Sequence, residues 1–141
     1  MNTPVTMHFT IEELYASATA KAKGIDNKPP IQPLICLVYL AAYVLEPLRD
    51  AMNEPIRISS GYRCERLNRA VGGVSNSQHT KGQAADCGCD DPLALAKLAI
   101  KKKITFDQMI VYPSFVHFSY KKDGENRGEV FYSAKYRGPK L

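Results

Sequence analysis

The sequence has no tryptophan and only three histidines in 141 residues. It has four cysteines, Cys36, Cys64, Cys87 and Cys89, but no CxxC pair. Cys87-x-Cys89 is tighter than the usual zinc-finger spacing, so a finger or ribbon is not the reading. Reduced thiols are expected, with Cys36 in an apolar helix. Cys87 and Cys89 lie close enough to Asp86 to leave a metal role open. No apolar run is read as approaching the roughly 20 residues of a membrane span, so no membrane contact is expected. The N-terminal MNTPVTMHFTIEEL lacks a basic patch followed by an apolar stretch, so no signal peptide is read and a chain made in the cytoplasm is expected. No nucleic-acid motif accompanies the net charge of +5, and the densest basic run is only Lys101–Lys103. Nucleic acid is therefore not an expected partner. The same charge suits another negatively charged polymer. No repeat, linker or long exposed apolar pattern is visible, so a monomer is expected.

At 45% hydrophobic and 23% charged, the composition is that of a globular protein. The length fits one domain, residues 1–141, with its core over about 9–133 and a basic tail over 134–141. A domain of this size buries enough apolar surface to need no disulfides. Thr10 and Glu13 form a capping-box pattern with Phe9 in the staple position, which predicts a helix over 8–17. Residues 18–30 are rich in breakers and read as a loop. Leu34, Leu37, Val38, Ala41, Val44, Leu45 and Leu48 recur at helical spacing and predict a helix over 31–52. Pro47 inside it predicts a kink or break. Residues 55–60 alternate as a strand, and 64–71 suit a short helix. The polar 74–83 is a loop, and 84–87 is a short buried strand. Asp91 and Pro92 start another helix as cap and first-turn residue. Strands follow over 105–111, 115–120 and 129–133. Helices first, then a small, mostly antiparallel sheet with one inserted helix, make an α+β domain.

The stretch SNSQHTKGQAAD, residues 75–86, is too polar for a core and too irregular for a surface helix. It holds His79 seven residues before Asp86. His117 stands in FVHFSY, where alternation puts it on a face with Phe115 and Ser119. His8 has no evident partner and reads as a surface residue. Catalytic zinc sites commonly take three protein ligands from histidine and carboxylate and keep a fourth position for water. His79, Asp86 and His117 offer such a set. Gly82 lets the loop fold back, and Ala84 and Ala85 permit close packing behind the site.

SGYR at 60–63, SQHTKGQAAD at 77–86 and the late VHFSY resemble the zinc D-Ala-D-Ala carboxypeptidase and dipeptidase family, the M15 peptidases, which includes phage endolysins. FTIEEL, KGIDN and LEPLRDA extend the resemblance over roughly residues 9–120. It implies the zinc fold shared by DD-peptidases and Hedgehog domains, and one Zn2+ ion held by His79, Asp86 and His117. It implies Arg63 in catalysis and substrate contact, with Ser77 and Tyr62 at the substrate. A rim salt bridge for Arg63 and a turn hydrogen bond for Ser77 are the alternatives. Members of the family carry Glu or Asp three residues before the last histidine as general base. Here that position is Ser114. Asp107, ten residues before His117, is the substitute base to test. Glu46, Asp50 and Glu54 are further carboxylates whose place the sequence leaves open.

The expected function is a metallopeptidase cutting an amide in bacterial peptidoglycan stem peptides. It would act on the cell wall after holin-type release or as a virion component. The alternative is a zinc-containing wall- or protein-binding module of the same fold with weak or no catalysis.

Overall fold

Pro47 has no backbone N–H, and its ring crowds the carbonyl four residues earlier, that of Tyr43. The helix answers by widening there. In the computed structural model, which describes residues 2–141, α2 (Ile31–Leu40) runs into a π-helical turn over Ala41–Leu45, then into α3 (Glu46–Met52). The predicted irregularity is thus a π turn immediately before the proline. Leu37, Leu40, Ala41, Val44, Leu45 and Leu48 of this segment are fully buried. Each large apolar side chain buried this way contributes about 1.5–3 kcal/mol relative to exposure. The continuous stretch Ile31–Met52 is long and apolar enough to cross a membrane by length and composition, which corrects the sequence expectation. Its inner face is nevertheless part of the core.

Two short elements precede it. The capping box forms, with Thr10 N donating to Glu13 Oε1 at 2.7 Å, but it starts only a 3-10 turn over Glu12–Leu14. Residues read as loop contain α1 (Ala18–Lys23), capped by Ser17 and closed by Gly24 in the left-handed conformation. One helical turn between two breakers carries too little periodicity to be read.

The sheet holds β1 (Arg57–Ser60), β2 (Ala84–Gly88), β3 (Gln108–Val111), β4 (Val116–Ser119) and β5 (Glu129–Tyr132) in the order β1-β2-β4-β3-β5. All pairings are antiparallel except β3 with β5. α4 (Glu65–Ala70) follows β1, and α5 (Pro92–Lys101) joins β2 to β3 with Asp91 as its side-chain cap. α5 packs against α3, so helices cover one side of the sheet. In β2, Ala84, Ala85, Cys87 and Gly88 are buried and Asp86 alone keeps partial exposure. β4 is buried throughout, including His117 and Ser119. The observed class is the predicted α+β.

At the rim, Tyr39, Tyr43 and Tyr120 stack in sequence, with centroids 5.9 and 5.5 Å apart, and Lys122 lies over Tyr39. The four cysteines are free; Cys87 and Cys89 are buried among apolar residues and stand outside the histidine and carboxylate groups.

Candidate metal centre

A direct cross-strand pair brings two of the three predicted ligands together. Asp86 on β2 faces His117 on β4 in register, so both side chains leave the same face of the sheet. His117 Nδ1 stands 2.9 Å from Asp86 Oδ1. The third comes from a 3-10 turn over Gln78–Lys81, whose cap Ser77 accepts from His79 N at 3.2 Å. Gly82 ends that turn at φ +71°, and a Cβ there would meet the Pro33 carbonyl oxygen at 2.3 Å. His79 Nε2 reaches to 3.4 Å from the same Asp86 oxygen. The three ligand atoms all lie within 4.8 Å of one another.

Each histidine is buried, and the polarity of His79 follows from its partner. Its Nδ1 lies 2.7 Å from the Gly61 carbonyl oxygen, which can only accept. Nδ1 therefore carries the proton, and Nε2 turns its lone pair to Asp86. Burial acts to raise the Asp86 pKa, but the two imidazoles beside the carboxyl outweigh it and hold it well below the usual range. The result is an ionised carboxylate between two imidazole nitrogens, a donor set that fits a zinc ion.

Gly61 is a functional position that motif reading passes over in favour of Arg63. A Cβ on Gly61 would meet the Leu14 carbonyl oxygen at 2.0 Å, so only glycine fits while its own carbonyl orients His79.

The three groups lie in a cleft of about 570 Å³, shared with Arg63, Ser77, Tyr112 and Phe115. Arg63 is tied to the site through its backbone, whose N–H donates to His79 O at 3.1 Å. Its Nη2 stands 3.5 Å from Ser77 Oγ, at the limit of a hydrogen bond, and its buried Nε has no partner. Burial lowers the guanidinium pKa, while the nearby Asp86 and Tyr112 act to raise it.

Two expectations do not fit this geometry. Asp107 is fully buried and already engaged: Arg127 donates to it from N at 3.1 Å, Nε at 2.9 Å and Nη2 at 2.8 Å. Those bonds hold its pKa at about 2, which suits an anchor and not a base working near neutrality. Tyr62 is buried in the core and does not line the cleft. Its backbone N–H donates to Leu14 O at 2.8 Å, and its side chain belongs to the main apolar cluster. Ser114 lies exposed in the bend before β4. Among the described residues, Asp86 is the only carboxylate lining the cleft.

His8 is not alone, contrary to expectation. It meets Glu46 Oε2 at 2.5 Å and Asp50 Oδ1 at 3.9 Å, a pairing across distant sequence that spacing does not disclose.

Residues 7–119 match the sequence profile of the Peptidase M15 family. The chain belongs to the M15 peptidases. It is also 36% identical, over 93 residues, to the zinc D-Ala-D-Ala carboxypeptidase of Streptomyces albus G. That alignment covers 64% of this chain and 35% of the relative, so the M15 chain described here matches about a third of that protein's length.

Proposed function

We propose that this M15 chain is a zinc-dependent peptidase that hydrolyses an amide bond in peptidoglycan stem peptides, as a D-Ala-D-Ala carboxypeptidase or an endolysin-type endopeptidase. The observation that carries the reading is the convergence of His79 Nε2, Asp86 Oδ1 and His117 Nδ1 in a cleft that also presents Arg63. The similarity to a zinc D-Ala-D-Ala carboxypeptidase supports the substrate class.

His79, Asp86 and His117 would hold one zinc ion. When bound, zinc supplies Lewis-acid polarisation of a carbonyl and activation of water near neutral pH. Arg63 binds the substrate carboxylate or the developing oxyanion through the guanidinium it presents to the cleft. Ser77 holds the His79 turn in place and borders the substrate. Tyr112 and Phe115 stack with centroids 4.3 Å apart and form one wall of the cleft.

The second reading, a zinc-containing binding module of weak or no activity, is favoured by one feature. The cleft has no second carboxylate among the described residues, and Asp107 is committed to Arg127. General-base help normally contributes roughly 10²–10⁴-fold, so its absence would slow hydrolysis by that order.

The test is a digest of purified peptidoglycan, with and without a chelator, read by mass spectrometry. Metal-dependent fragments support the peptidase and name the bond. Zinc retention without fragments supports the binding module. Release by a holin-type route or carriage on a virion is part of the same proposal for where the protein acts. A monomer acting without nucleic acid or membrane contact completes it.

A further inference from the structure

His117 presents Nδ1 to Asp86, so its other nitrogen needs a partner that fixes the ring. Gln78 Oε1 lies 3.2 Å from His117 Nε2. The same amide places Nε2 at 3.3 Å from Asp107 Oδ2. Asp107 is fully buried and held by three Arg127 donors, with Lys121 Nζ at 3.7 Å.

The order of donors and acceptors in this chain is forced. Arg127 can only donate, so it meets an ionised carboxylate. An ionised carboxylate can only accept, so the NH2 side of Gln78 must face Asp107. The carbonyl side of Gln78 must then face His117. That oxygen can only accept, so it draws the ring proton of His117 to Nε2. Asp86 Oδ1 competes for that proton at Nδ1, and a cation between the three ligand atoms relieves the competition by taking the Nδ1 lone pair.

We propose that Gln78 is a positioning residue that transmits the Asp107–Arg127 pair to His117 and sets its tautomer for metal binding. The proposal rests on the reading of His117 as a zinc ligand. It gives Asp107 a place in the site without direct contact with substrate. The two histidines are then prepared alike, each by an acceptor behind the ring: the Gly61 carbonyl for His79 and the Gln78 amide for His117. Partners of this kind typically change metal affinity by 10–100-fold when removed.

The experiment uses the full chain and its Gln78→Ala variant. Zinc affinity is measured by competition with a chromophoric chelator. The His117 tautomer is read in the metal-free proteins by nitrogen-15 NMR of the neutral ring. The expected result is a zinc affinity lower by about 10–100-fold in the variant, with the His117 proton shifting from Nε2 toward Nδ1, where Asp86 is the remaining acceptor. Gln78 is only partly buried, so the variant should fold, and its circular dichroism checks this. Equal affinity together with an unchanged tautomer would overturn the proposal. A parent chain that binds no zinc would defeat the proposed function instead, and the tautomer measurement would still decide the role of Gln78.

Discussion

Asp86 and His117 are register partners on adjacent antiparallel strands, and their ligand atoms stand 2.9 Å apart. Replacing His117 with alanine removes one of three donors and leaves the mostly buried Asp86 carboxylate with a single imidazole. His117→Ala should therefore lose zinc, falling from about one ion per chain to near none after dialysis. Metal analysis of the dialysed protein checks this. A normal zinc content would remove His117 from the site.

Gly61→Ala should damage the fold and the site together. The new Cβ would lie 2.0 Å from the Leu14 carbonyl oxygen, which is backbone and cannot swing away. Overpacking of this kind costs about 1–3 kcal/mol. The backbone shift also withdraws the carbonyl that holds His79 Nδ1. A lower denaturant midpoint and weaker zinc binding are both expected. A stability equal to that of the parent would show that the backbone at Gly61 or Leu14 can move at no cost.

Asp107 makes stability depend on pH. Its folded pKa of about 2 lies below the ordinary carboxylate value of about 3.9. A depressed pKa means that the fold favours the ionised form. The contribution is full above about pH 4 and is lost as the pH falls toward about 2. Asp107→Asn should be less stable at neutral pH and lose less stability over that acid range. Denaturant titrations at a series of pH values compare the slopes. Equal slopes in the two proteins would mean that Asp107 titrates normally in the fold.

Arg63→Lys keeps the charge and loses the planar fork. Zinc content should not change, because Arg63 contributes none of the converging ligand atoms. The value of kcat/KM on a stem-peptide substrate should fall by roughly 10²-fold, the usual cost of losing an oxyanion donor. Loss of metal in this variant would instead assign Arg63 a role in supporting His79.

Much of this was legible in the chain. The long apolar face of 31–52, the Asp91 cap and the strand segments were readable because their signals are local and repeat. The candidate ligand set was proposed from residue types and order, and its three members converge in the fold. The register was not: nothing in AADCG or VHFS states that Asp86 sits opposite His117 and not one residue away. The role of Asp107 was also hidden. Its partner Arg127 lies 20 residues on and reaches it only when Glu129 N bonds to Asp107 O beside β5. The placement of Tyr62 was hidden too: it neighbours Arg63 in the motif, yet its side chain is buried in the core.

The pairing of Asp86 with His117 also separates the site from the length of the chain between its ligands. Residues 89–107 leave the sheet through α5 and return as β3, yet the distance between Asp86 and His117 is set by the β2–β4 register. The exposed turn at Lys101–Lys103 could accept an inserted segment, because no ligand geometry passes through it. A single residue deleted inside β2 or β4 would do the opposite, turning a ligand to the other face and abolishing the site in one step. The architecture is thus tolerant of growth at its periphery and intolerant of slippage at its centre.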